Sequence, residues 1–200
     1  MLTVGLTGGV AAGKSTVAEI WRKAGAQVAS ADDFARRAVA PGTAGLERVV
    51  EIFGTEVLLP DGTLDRRALG RLVFADAEAR RRLESVVHPE VRALAREWTA
   101  RQRDAGEELA VWESPLLLER EMESEVDIVV VVQAPEALRR RRMAETREMD
   151  EEEAQAVIDA QLPDEERRER ADIVIENSGT RAELARRALG VLDELRVGTS

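Results

Sequence analysis

Residues 8–15 read Gly-Gly-Val-Ala-Ala-Gly-Lys-Ser and follow a short apolar stretch, residues 2–6, almost without a gap. Two glycines five apart before Lys-Ser let the backbone wrap a phosphate group with its N–H groups, and the helix that follows adds positive potential at its N-terminus. Lys14 supplies a compact ammonium that can reach the β- and γ-phosphates of a nucleotide, and the hydroxyl of Ser15 suits Mg²⁺. Gly8, Gly9, Val10, Ala11, Ala12, Gly13, Lys14, Ser15 and Thr16 are therefore the expected nucleotide contacts, with ATP and Mg²⁺ as the ligands.

Such a loop needs a strand before it and a helix after it. Residues 14–24 supply the helix, with apolar spacing at Val17, Ile20, Trp21 and Ala24 closed by Gly25. Residues 27–30 read as a second strand and 32–39 as a helix stopped by Pro41-Gly42. Residues 43–104 read as helical, with breaks expected at Gly54, at Pro60-Asp61-Gly62 and at His88-Pro89. Three further strands fall at 109–113, 127–132 and 172–176; the run Ile-Val-Val-Val-Val is continuous and β-branched, as in a parallel strand buried on both faces. The fold predicted is α/β, a P-loop NTPase with a doubly wound parallel five-stranded sheet, a helical insertion over about 43–104, which the resemblance described below makes substrate-binding, and a lid over about 136–165, all within one domain of 200 residues.

Composition narrows the chemistry. With no cysteine and one histidine, disulfides, thiolate nucleophiles and thiolate zinc sites are excluded within the chain, so a metal here must be oxygen-bound. A net charge of −10 disfavours extended nucleic-acid binding. No apolar run spans a bilayer and no leader pattern is seen before the first strand, so a cytoplasmic placement is the simplest expectation. Oligomeric state stays open. All but two of the 29 basic residues are arginine, and against that background Lys14 stands out.

Asp32 and Asp33 follow the second strand, where a carboxylate can orient an acceptor hydroxyl and take its proton; equally, either can serve as a helix N-cap. Glu113, at the end of the third strand, is a candidate for holding Mg²⁺ through water or simply a solvated strand end. Arg139, Arg140, Arg141 and Arg142 are consecutive and so point around a helix, so only one or two of them can face a nucleotide. The rest, with Arg147, would pair with Glu145, Glu148 and nearby acids. The only asparagine, Asn177, is followed by Ser178, so the Asn-Lys-x-Asp guanine motif of switch GTPases is absent. The residues alone leave open which small-molecule hydroxyl is the acceptor.

Taken together, the motifs resemble those of the dephospho-coenzyme A kinase family over nearly the whole chain. The resemblance is carried by residues 5–16, by Ala31-Asp32 with Ala35-Arg36 and Pro41-Gly42, and by Asp61-Gly62 with Leu64, Arg67 and Leu69. It continues through His88-Pro89, Pro115-Leu116-Leu117 with Glu119, and Gln161 with Ala171-Asp172 and Asn177-Ser178-Gly179. It implies transfer of the ATP γ-phosphate to the ribose 3′-hydroxyl of dephospho-coenzyme A, with Asp32 as the base. It further implies substrate contacts from Asp32, Arg36, His88, Pro115, Leu116 and Leu117, and places Asn177 near adenine. Arg140, Arg141 and Arg147 are the lid candidates, Arg141 foremost, alongside Lys14 as the catalytic charges. Two departures stand out: Ser30 occupies a position where the family often has an acid, and the second lid arginine is displaced to Arg147.

Overall fold

The computed structural model describes residues 1–147 and 149–198; Glu148 and the side chain of Arg147, both named above, lie outside the described residues. In chain order the elements are β1 (Leu2–Gly8), α1 (Lys14–Lys23), β2 (Gln27–Ser30), α2 (Ala31–Ala38), α3 (Ala44–Phe53), α4 (Arg66–Ala75) and α5 (Ala77–Asp104). There follow β3 (Leu109–Glu113), β4 (Ile128–Gln133), α6 (Glu136–Arg147), α7 (Glu151–Asp159), α8 (Asp164–Glu169), β5 (Ile173–Glu176) and α9 (Arg181–Val197). Contacts divide the chain into two compact units, Met1–Ser30 with Arg101–Ser200, and Ala31–Ala100.

The first unit is built on a five-stranded sheet of order β2-β3-β1-β4-β5, every pair parallel, as the alternating pattern predicts. β1 is central, and the chain fills β2 and β3 on one side of it before crossing to β4 and β5 on the other. The carboxyl end of β1 is thus where the strand order reverses, the place where open α/β sheets receive ligands. β1 runs two residues beyond the expected Leu6, because Thr7 and Gly8 stay in register with Val131 and Val132 of β4. Asp127 and Asp172, expected as the first residues of strands, instead precede them: their carboxylates accept the N–H groups of Thr3 and Val129, each at 2.7 Å, and so satisfy donors near the amino-terminal ends of β1 and β4.

Helix spacing builds the core on that sheet. Val17, Ala18 and Trp21 of α1 and Leu184, Ala188, Leu192 and Leu195 of α9 bury against strand residues such as Val4, Leu6, Val111 and Val130. Trp21 is fully enclosed, and its indole N–H donates to the Ala188 carbonyl at 2.7 Å. A capping box between Thr180 and Glu183 starts α9.

The second unit is helical and has its own core of Val39, Leu46, Val49, Val57, Leu69 and Val86. Side-chain caps start its helices, Thr43 on Leu46 N–H and Asp65 on the N–H groups of Arg67 and Ala68. The breaks expected at Gly54 and at Pro60-Asp61-Gly62 are present, but α5 runs unbroken through His88-Pro89. The proline ring fits helical φ and removes one backbone donor, a local loss that the buried stripe Ala79, Val86, Ala95 and Thr99 outweighs over 28 residues. Among the described residues, no helix is long and apolar enough to cross a membrane.

Candidate active site

The loop between β1 and α1 depends on glycine at its two ends. At Gly8 φ is +152°, and a Cβ would stand 2.3 Å from the carbonyl oxygen of Val132. At Gly13 φ is +103°, and a Cβ would meet the side-chain amide of Asn177 at 2.2 Å. Neither space nor backbone conformation admits another residue. Between them the chain turns through Ala12 N–H to Gly9 O at 3.1 Å, with Ala11 at φ +56°. The N–H groups of Lys14 and Ser15 come before the first helical bonds, which run from Thr16 and Val17 to Gly13 O at 3.0 and 3.1 Å, and they stand at the positive end of the helix.

Lys14 and Ser15 converge on one carboxylate. Lys14 Nζ lies 3.1 Å from Glu113 Oε1, and Ser15 Oγ donates to the same oxygen at 2.9 Å. Arg22, in the last turn of α1, reaches Oε2 at 3.4 Å. Glu113 is almost buried at the end of β3. Burial by itself would push its carboxyl up, but Lys14, Ser15 and Arg22 together outweigh burial and hold it below the usual carboxylate range. The solvated-strand-end alternative therefore does not describe Glu113.

The carbonyls of the loop are held from the other side. Arg139 Nε donates to Val10 O at 3.0 Å, Arg142 Nη1 to Ala11 O at 3.0 Å, and Asn177 Nδ2 to Ala12 O at 2.7 Å. Asn177 is buried, and its own N–H donates to Gln133 O at 2.7 Å, so its observed contacts are with the loop backbone and β4. Of the four consecutive arginines, 139 and 142 share one helix face and reach the loop. Arg140 bonds Glu136 and Gln155, while Arg141 is exposed and pairs with Glu145 at 2.7 Å along α6.

Other expected contacts are more dispersed. Leu117 is fully buried and packs over Gly5, where a Cβ would come within 2.7 Å of it, whereas Pro115 and Leu116 are half-buried. In the helical unit, Asp32 and Asp33 are exposed in the first turn of α2, favourable for carboxylates beside a helix N-terminus. Arg36 pairs with Asp33 at 2.9 Å, and His88 is half-buried in α5. Sequence reasoning assigned no role to Arg22, Asp164 or Gln161. The i, i+3 spacing of Arg139 and Arg142 was the one signal that could have singled out that pair. Among the described residues, no group of three or more histidines and carboxylates could cage a metal.

A family model described as dephospho-CoA kinase matches residues 2–183. A dephospho-CoA kinase of Anaeromyxobacter dehalogenans is 50% identical over 99% of this chain and 94% of its own length. One from Geobacter sulfurreducens is 44% identical over 94% of this chain and 95% of its own. Among solved structures, a dephospho-CoA kinase from Campylobacter jejuni superposes with a TM-score of 0.78 at 28% identity, covering 99% of this chain and 98% of that one. A shikimate kinase from Acinetobacter baumannii, 18% identical with a TM-score of 0.52 over 97% of this chain and 94% of that one, shares the fold.

Proposed function

The chain belongs to the dephospho-CoA kinase family, which moves the γ-phosphoryl group of ATP to the ribose 3′-hydroxyl of dephospho-coenzyme A in the last step of coenzyme A synthesis, and from that premise we propose how its own residues divide the work. The observation that carries the proposal is the meeting of Lys14 and Ser15 on Glu113 beside the glycine loop. Lys14 leaves its carboxylate partner for the β- and γ-phosphates once a nucleotide fills the loop, where the first N–H groups of α1 bind the phosphate oxygens.

The donor set fits Mg²⁺, since Ser15 and Glu113 offer a hydroxyl and a carboxylate, both hard oxygens, 2.9 Å apart. Mg²⁺ so held would spread the charge that develops on the transferring phosphoryl group. Asp32, two residues beyond the end of β2, takes the proton of the ribose hydroxyl and orients its oxygen for attack. This assignment rests on the match of Ala31-Asp32 to the family motif and on the short chain path from β2, whose last residue Ser30 is in register with Glu113. Arg36, His88, Pro115 and Leu116 contact dephospho-coenzyme A, Leu117 supports that segment from the core, and Asn177 acts through the loop backbone, with adenine as its neighbour. Of the lid arginines, Arg142 is better placed than Arg141 to act at the nucleotide, since it already touches the loop.

ADP formation from Mg·ATP, measured with and without dephospho-coenzyme A and with the product identified by mass, tests the reading. Acceptor-dependent ADP with a coenzyme A product, both lost in Asp32→Asn, is the expected result. Undiminished turnover in Asp32→Asn would move the base elsewhere.

A further inference from the structure

We propose that Arg139, gripped by Asp164 and steadied by Gln161, is a positioning residue for the phosphate loop, so that the turn between α7 and α8 governs how tightly ATP is held. Arg139 is only 1% exposed. Its Nη1 donates to both carboxylate oxygens of Asp164, at 2.7 and 2.8 Å, and its Nη2 lies 3.5 Å from Gln161 Oε1. Gln161 Oε1 accepts the N–H of Val10 at 2.8 Å, while Arg139 Nε donates to the carbonyl of that same residue at 3.0 Å.

Both peptide planes flanking Val10 are thus fixed by one cluster. A planar trans peptide whose carbonyl is held outward turns the next N–H, that of Ala11, the opposite way. The loop lies flush on the guanidinium, since a Cβ on Gly9 would stand 2.8 Å from Arg139 Cζ. These contacts commit the arginine to protein partners rather than to a phosphate. A buried guanidinium is tolerated only with its partners complete, so loss of either Gln161 or Asp164 is transmitted to the loop.

This inference rests on the phosphotransfer reading above, so ATP binding is measured directly, by calorimetry with a non-hydrolysable ATP analogue. Arg139→Ala empties a buried site, leaves Asp164 with Arg167 at 3.0 Å and endangers folding; Gln161→Leu and Asp164→Asn carry the test, with circular dichroism to confirm the folded state. The expected result is a Kd for the analogue raised about tenfold, with the Kd for dephospho-coenzyme A changed less than about twofold. Folded variants with unaltered affinity for the analogue would overturn the proposal, as would equal weakening of both ligands, which marks general loosening. Failure of the Asp32 assignment would show in turnover alone and leave the analogue affinities as they are.

Discussion

The phosphate loop and the helical unit treat their charged residues in opposite ways. Around the loop, Glu113, Arg139 and Asn177 are buried, and each is bonded to a named partner. At the start of α2, Asp32, Asp33 and Arg36 stand in solvent, and Asp33 and Arg36 form a surface pair. Low dielectric strengthens the first group of contacts and makes a missing partner costly, whereas water screens the second. The loop is therefore organised before any nucleotide arrives. In the acidic turn of α2 both carboxylates are exposed, Asp33 in its surface pair with Arg36 and Asp32 open to a substrate.

If that contrast holds, Lys14→Ala has the largest effect, lowering kcat/KM by on the order of 10³-fold in steady-state assays, because it removes the charge aimed at the transferring group. Asp32→Asn comes next, with kcat down by on the order of 10²-fold and an unchanged melting temperature, as suits an exposed group with a chemical role only. A falling melting temperature there would break the comparison from the substrate side.

Asn177→Ala probes the buried side. Removing the main donor to Ala12 O costs about 1–3 kcal/mol, read by denaturant unfolding, and weakens ATP binding at the same time. Glu113→Gln sharpens the electrostatics. A carboxyl lowered in the native state contributes stability above its unfolded pKa and loses it as pH falls through the native one, so the variant should have a flatter acid limb in melting temperature below about pH 4. Arg36→Ala is the smallest expected change, a shift in melting temperature of less than about 2 °C, since its pair with Asp33 is exposed. A larger shift would show that α2 depends on that pair.

Much of the architecture was legible from local pattern. Parallel strands covered on both faces read as near-continuous apolar runs, so β3 and β4 announced themselves, and the glycine pattern placed the loop between β1 and α1. The unbroken passage of α5 through Pro89 was not legible, because a proline reads as a stop unless the packing that tolerates it is known. In the site, Lys14, Ser15 and Glu113 were each identifiable by residue type and strand end, and the structure brings the three together. The arginines were harder, since in a run of four the i, i+3 spacing pairs Arg139 with Arg142 but does not say whether that face or another is buried.

The chain's own order determined the strand sequence, the glycine loop and the residues that carry charge there, because these follow from spacing over a few residues and from which side chains can exist in apolar surroundings. Only the tertiary structure decided that Arg139 and Arg142, and not Arg141, meet the loop, that Gln161 and Asn177 hold an amide and a carbonyl of it, and that Asp164 holds Arg139. Those partners lie about 130 to 165 residues from the loop in sequence, for Arg142 and Asn177. A contact across such a separation is set by how helices and strands pack, which no local pattern encodes.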